Sequence, residues 1–371
     1  MSSPRLFSPF RLRDLELPNR VVIAPMCMYA STDGLASDWH TMHWGSMTQS
    51  AAGLFIIEAT GVSPQGRITP HCLGLWNDET EAAMARVLAA VRPYAATPIA
   101  IQLAHAGRKA SCAAPWQGGQ RVAHDQGGWL PEGPSAVAFR ETDPAPHALT
   151  EAGIHRVIQD FAQATVRAER LGLDAIELHC AHGYLLHQFL SPVSNQRADA
   201  WGGNLENRMR LPLAVFDAMR AVWPAHKPLG VRVSATDGLE HTPTPSWALP
   251  DTIAFAQALK VRGCDWIDVS SGGTSPQQRI DAVPLYQVPL SESIRRETTL
   301  PTMAVGLITE PAQAEQILEQ GQADLVALAR GMLWNPRWVW HAAAQLGAQV
   351  VLPRSYERGV PAGMGHVLAR R

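Results

Sequence analysis

Short apolar runs alternate with longer amphipathic stretches along nearly the whole chain, and the two periods predict strands and helices in turn. The runs Arg20–Met26 (RVVIAPM), Leu54–Thr60 (LFIIEAT), Thr97–His105 (TPIAIQLAH), Ala175–Leu178 (AIEL), Pro228–Ser234 (PLGVRVS), Trp266–Ser270, Thr302–Val305 and Asp324–Ala329 read as buried strands. Helical patterns follow them at Asp38–Ala51, Asp78–Tyr94, Glu151–Leu171, Glu206–Trp223, Asp251–Val261, Leu290–Glu297, Pro311–Gln320 and Gly331–Gln345. Strand–helix units in succession, with no run of consecutive strands, predict one α/β domain over residues 1–371, a (β/α)8 TIM barrel. An open doubly wound sheet is the alternative, disfavoured because no G-x-G-x-x-G follows the first strand. The pattern lapses between Ala106 and Thr150 into Gly, Pro and polar residues around Trp116 and Trp129, which predicts a lid-like excursion. Residues 350–371 form a C-terminal extension beyond the last helix.

A chain of 371 residues, 46% of them hydrophobic, can bury a large core. Its net charge of -2, with both signs dispersed, gives no reason to expect nucleic acid or an anionic membrane as partner. The five cysteines (Cys27, Cys72, Cys112, Cys180, Cys264) are scattered and form no CxxC, so reduced thiols and a cytoplasmic location are expected. No segment has the apolar length of a signal peptide core or a membrane span, which predicts a soluble protein.

The chemistry concentrates in Asp174–Tyr184 (DAIELHCAHGY), where a strand breaks into a loop carrying His179, His182 and Tyr184. Each His alone could be a capping or satisfied core residue; three such groups beside a Gly at one strand end point to a site. In a parallel barrel the strand ends converge on one mouth. That mouth would gather Ala24-Pro25-Met26-Cys27-Met28-Tyr29, Ala59, Gln102, His105, Arg108, Lys109, Arg232, Gly306 and Ala329-Arg330-Gly331. The last two loops occupy the usual phosphate position of such barrels, where backbone N–H groups at a helix N-terminus and an Arg fork can meet an anion. Paired acids for glycoside hydrolysis and an acid cluster for magnesium are missing. A zinc hydrolase would need His105 as third ligand with His179 and His182, and would lack a carboxylate base. Amides, an Arg and a thiol suit a neutral, electron-rich ring bearing a phosphate, and flavin mononucleotide (FMN) meets both requirements.

The segments APMCMY (Ala24–Tyr29), QLAHAGRKA (Gln102–Ala110), HCAHGYLLHQFLSP (His179–Pro192), RADAWGGNLENR (Arg197–Arg208), VRVSAT (Val231–Thr236) and PRSYERG (Pro353–Gly359) resemble the Old Yellow Enzyme family. The likeness runs from about Leu6 to Gly359 and is greatest to its bacterial small ene-reductases and xenobiotic reductases. It implies an FMN-dependent barrel enzyme that oxidises NADPH or NADH and reduces activated alkenes. By that resemblance Ala24, Pro25, Met26, Cys27, Ala59, Gln102 and Arg232 line the flavin ring, and Gly306, Ala329 and Arg330 take its phosphate. His179 and His182 would hold the substrate's carbonyl or nitro oxygen, Tyr29 would add a hydrogen bond there, and Tyr184 would protonate the α-carbon. The family usually carries Gly-Arg where this chain has Ala329-Arg330, and often an aromatic residue after Gly359 where Val360 stands here. In the related small enzymes the segment around Arg358 reaches into a neighbouring subunit, which implies a homodimer or a tetramer of dimers. Lys109 and Arg108 read as a solvated loop face with no catalytic part. A different class of function stays open, a flavin-binding redox sensor or store with Cys27 as its reactive thiol.

Overall fold

A computed structural model describes residues 4–369, so the extreme ends of the expected span and of the C-terminal extension lie outside the described residues. In chain order the strands are β1 (Phe10–Leu12), β2 (Leu15–Leu17), β3 (Val21–Ile23), β4 (Leu54–Gly61), β5 (Ile99–Ala104), β6 (Glu132–Gly133), β7 (His147–Ala148), β8 (Ala175–Cys180), β9 (Leu229–Ser234), β10 (Ile267–Ser270), β11 (Thr302–Ala304) and β12 (Leu325–Leu328). The helices are α1 (Asp38–Thr48), α2 (Asp78–Val91), α3 (Glu151–Arg170), α4 (Leu185–Leu190), α5 (Leu205–Val222), α6 (Leu249–Lys260), α7 (Val288–Thr298), α8 (Pro311–Glu319), α9 (Arg330–Trp334) and α10 (Trp338–Leu346). Strands β3, β4, β5, β8, β9, β10, β11 and β12 pair in parallel and close, which bears out the (β/α)8 barrel and removes the open sheet.

The barrel closes because its strands alternate what they show to each side. In β8 Ile176, Leu178 and Cys180 face the helices and belong to the large apolar layer there, while Ala175 joins the interior cluster. Register sets Gln102 beside Glu177 across β5 and β8, and His179 beside Arg232 beside Asp268 across β8, β9 and β10. The interior is therefore apolar at one end, with Val22, Leu54, Ala100, Trp266 and Leu325, and polar towards the other. Gly230 allows this packing: a Cβ there would stand 2.0 Å from the Trp266 ring, and that indole donates to Glu177 Oε2 at 3.3 Å.

Three features depart from the sequence expectation. The hairpin β1–β2 supplies Leu12 and Leu17 to the interior cluster and so plugs the barrel opposite the functional mouth. The expected helix over Gly331–Gln345 is two helices, broken at Asn335, where Pro336 cannot continue the hydrogen-bond ladder. A short helix, α4, starts directly after Tyr184, which is its N-cap. Between β5 and α3 the chain makes three single-turn 3-10 segments and the small parallel pair β6–β7. Trp129 ties this stretch down by donating to the Gln65 carbonyl at 3.0 Å under the Arg67 guanidinium.

Candidate active site

Two cavities open at the polar end of the barrel, on either side of His179 and His182. The first, about 250 Å3, is lined by His182, Arg232, Ser270, Gln287, Gly306, Ala329, Arg330 and their neighbours. The second, about 150 Å3, is lined by Tyr29, Ile68, Lys109, Cys112, Phe139, Arg140, Asp143 and Tyr184 among others. His179 bridges them, with its ring 5.2 Å from that of His182 and 5.0 Å from that of Tyr184, edge to face in both cases. The three side chains singled out in the sequence are thus one cluster.

Burial and the nearby Arg232 guanidinium push both imidazoles well below their ordinary pKa, so both are neutral at pH 7. The backbone N–H of Ala181 donates to His179 Nδ1 at 3.2 Å, which fixes the tautomer and leaves the proton on Nε2. His182 takes a left-handed φ of 58°. Its N–H donates to Ser234 Oγ at 2.9 Å, and its carbonyl accepts from Lys109 Nζ at 2.8 Å. Among the described residues its ring nitrogens have no hydrogen-bond partner, so the ring remains available to a ligand. Burial raises the Tyr184 phenol well above its usual range, so it enters any reaction protonated.

Beneath the cluster the loops are locked together. Gly183 and Gly273 approach so closely that a Cβ on Gly183 would stand 2.0 Å from the Gly273 carbonyl oxygen. His187, fully buried, accepts the Gly183 N–H at Nδ1 (2.9 Å) and directs Nε2 at Asp237 Oδ1 (3.1 Å). Its partner Asp237 also accepts from Ser191 Oγ (2.7 Å) and from the Trp247 N–H (2.8 Å). Gln188 makes three further connections, donating to the Ala106 and Gly183 carbonyls and accepting from the Arg108 N–H. None of His187, Asp237 or Gln188 was a site candidate from sequence, although His187 stands only five residues after His182 in the same segment.

The first cavity carries a donor set that fits an anionic, ring-bearing cofactor. Arg232 donates Nε and Nη2 to Ser270 Oγ (3.2 and 3.0 Å) and lies 3.2 Å from Asp268, and Nη1 has no partner among the described residues. At the other end the backbone N–H groups of Gly306, Leu307, Arg330 and Gly331 donate to no described residue, and the Arg330 side chain is exposed and unpaired. Because α9 has only five residues, these loop amides and the guanidinium, rather than a helix dipole, are what an incoming phosphate would meet. Ala329 has φ -101°, so this position needs no left-handed backbone and an alanine can occupy it.

The ring-facing candidates divide. Ala24 and Ala59 are buried, whereas Pro25, Met26 and Cys27 are half-buried in the loop after β3. Burial and the neighbouring Cys72 and Glu58 push the Cys27 thiol up, which holds it neutral. Glu58 positions that loop by accepting the Met28 N–H at 3.0 Å. Gln102 Nε2 donates to Glu177 Oε1 at 2.8 Å, which turns the amide oxygen away from the acid. Tyr29, in a left-handed φ of 54°, meets Trp116 edge to face at 5.6 Å. Arg358 is exposed in a six-residue 3-10 turn and lines neither cavity of its own chain. That turn is anchored by Tyr356, which packs on Trp340 (5.9 Å) and the Arg337 guanidinium (5.2 Å).

Two sequence expectations need correcting. A carboxylate is not lacking beside the expected histidines: Glu132 lies 3.7 Å from His105, and Asp143 lines the second cavity. His105 holds Glu132 down at about 2 and accepts the Gly107 N–H at Nδ1. Lys109 is no solvated loop residue but a half-buried cavity wall. Among the described residues no group of three or more His, Cys, Asp or Glu could hold a metal ion.

Residues 5–349 match the model of the NADH:flavin oxidoreductase / NADH oxidase family. The chain belongs to that family. Curated relatives include the NADPH dehydrogenase of Geobacillus thermodenitrificans, 44% identical over 356 residues, covering 95% of this chain and 98% of the relative. The NADPH dehydrogenase of Bacillus subtilis is 41% identical over 361 residues, covering 96% and 99%. Among solved structures morphinone reductase is similar at 28% identity and a TM-score of 0.75, over 98% of this chain and 93% of that one. The Old Yellow Enzyme resemblance read from the sequence is thereby borne out, and the protein is an oxidoreductase that uses FMN and NAD(P)H. The donors of the first cavity could hold that cofactor: Arg232 at the ring end, and the Gly306, Leu307, Arg330 and Gly331 amides with the Arg330 side chain at the phosphate end, where Ala329 also lines the wall. No helix among the described residues is long and apolar enough to cross a membrane.

Proposed function

We propose that the protein is an ene-reductase acting on α,β-unsaturated carbonyl or nitro compounds. Bound FMN would supply hydride chemistry, taking a hydride from NAD(P)H and delivering it to the alkene β-carbon. The observation that carries the reading is the fixed tautomer of His179, whose Nε2–H is a neutral donor next to the open His182 ring. Two neutral donors can hold the substrate oxygen and draw electron density from the alkene without protonating it. Tyr184 then gives its proton to the α-carbon, and Tyr29 closes the same cavity. The segment 106–150 acts as the lid, and Arg358, exposed on its anchored turn, reaches the site of a neighbouring subunit in a homodimer or a tetramer of dimers. The free thiols suit a cytoplasmic protein. A sensor built on Cys27 would need a thiolate, and the surroundings of that thiol favour the protonated form.

Stopped-flow kinetics of Tyr184→Phe test the reading. Flavin reduction by NADPH should change little while reduction of 2-cyclohexenone slows by about 10²–10⁴-fold. Equal slowing of both halves, or none of either, would remove Tyr184 as proton donor.

A further inference from the structure

Among the described residues Lys109 is the one cation in the wall of the second cavity that is tied to the reacting cluster. Its Nζ donates to the His182 carbonyl at 2.8 Å and to the Gly273 carbonyl at 2.9 Å, which leaves one of three N–H bonds unassigned. The same atom lies 5.2 Å from the centre of the Tyr184 ring and 4.7 Å from that of Phe139. Both carbonyls belong to the loops locked at Gly183 and Gly273, so the ammonium has a fixed place beside the phenol.

We propose that Lys109 is a positioning residue that acts through Tyr184, holding a positive charge against the phenolate that forms when the tyrosine gives its proton to substrate. This rests on the ene-reductase reading. Hydride addition at the β-carbon leaves an electron pair at the α-carbon. The Tyr184 O–H bond breaks, its proton forms the new C–H bond, and the O–H pair stays on the phenol oxygen until solvent returns a proton. The reductant is NAD(P)H through the bound flavin. A phenolate in a buried setting is costly, and at this separation a fixed charge shifts such an equilibrium by a factor on the order of 10².

The cation is itself titratable within reach of neutral pH. Burial and then Arg108 lower Lys109 to about 8, with Cys112 opposing them and Arg140 adding the least. The other groups facing it are Tyr29, Asp143 and the neutral His179 and His182. Above that pH the charge is lost while Tyr184 remains protonated, so alkene reduction should slow as pH rises.

The test uses pre-reduced holoenzyme in single turnovers with 2-cyclohexenone, from about pH 6 to about pH 10, for wild type, Lys109→Met, Lys109→Arg and Tyr184→Phe. Wild type should lose rate above about pH 8. Lys109→Met should be slower by about 10- to 100-fold with no such fall, and Lys109→Arg should keep the rate and carry the fall beyond about pH 10. In flavin-free protein, ultraviolet titration of tyrosine, with Tyr184→Phe identifying the signal, should show Tyr184 ionising at least about one unit lower in Lys109→Arg than in wild type. A Lys109→Met enzyme with wild-type rate and profile overturns the inference. If that variant binds no flavin, an unmoved fall and an unmoved tyrosine midpoint in Lys109→Arg overturn it instead. Wild-type rates in Tyr184→Phe would sink the parent reading, whereas a slow Tyr184→Phe beside an unaffected Lys109→Met sinks only the role of Lys109.

Discussion

Gly183→Ala separates the architecture of the site from its chemistry. Gly183 has φ +70°, and an added Cβ would meet the Gly273 carbonyl oxygen at 2.0 Å and the Thr274 Cα at 2.9 Å. The left-handed backbone alone costs Ala about 1–2 kcal/mol. The contact adds to this, because backbone faces backbone and the two loops must part by about 1 Å to reach ordinary separation. Parting strains the Lys109 hydrogen bonds to both loops and the Arg108 Nη2 bond to the Thr274 carbonyl (2.7 Å), and losing one such charge-assisted bond costs about 1.5–3 kcal/mol. The total is about 3–5 kcal/mol by urea denaturation of the holoenzyme. A displacement of that size also moves His182 and Tyr184, so affinity for a para-substituted phenol should fall by about 10²-fold. Gly203→Ala is the control, with φ +85° and nothing within 4 Å of the added carbon, and it should cost only the backbone share. If the two variants lose equal stability and bind the phenol equally, the loop contact has been misjudged.

Acid should unfold the protein earlier than its carboxylates alone would require. Burial holds His40 and His43 neutral, each at about 4 against 6.5 when unfolded. The unfolded chain therefore binds more protons between those values, and stability is lost as pH falls through them, by up to about 3 kcal/mol per group. Among the described residues His43 makes ring contacts, with Trp39 at 4.8 Å and Phe55 at 6.4 Å, and no side-chain hydrogen bond, so His43→Phe should flatten the fall in urea midpoint between about pH 6.5 and 4, and an unchanged slope would count against it. Arg330→Ala should weaken FMN binding by about 1.5–3 kcal/mol without altering the fold, since the side chain is exposed and makes no hydrogen bond or ion pair with a described residue; equal Kd values by flavin fluorescence would deny it the phosphate.

The barrel was legible because each strand is a compact apolar run and each helix a longer amphipathic one, and local pattern decides both. The cluster of His179, His182 and Tyr184 was legible for the same reason, since His179 lies near the end of one strand and the other two follow it directly. The break at Asn335 had a signal in the Asn-Pro pair, overlooked because the apolar pattern resumes beyond it. The plug hairpin also had one, in the alternation of Phe10 to Leu17, but two three-residue strands carry little weight until a barrel interior exists for them. Lys109 had none. Its meaning depends on carbonyls 73 and 164 residues away, and a basic residue after Gly-Arg looks solvated until those loops close over it.

The plug also bears on how the chain is made. Ribosomal synthesis delivers β1 and β2 first, yet the neighbouring N–H groups of Arg5 and Leu6 end on the Glu315 carboxylate, 310 and 309 residues later, and Arg13 binds Asp265. The stopper exists long before the vessel it seals. Until β10, β11 and β12 emerge, Leu12 and Leu17 have no interior to enter, and the growing sheet has two open edges that can pair with other chains. Such long-range closure makes the final step of assembly slow and all-or-none. Shortening the chain from its end before α8 should therefore yield aggregates rather than a smaller folded protein.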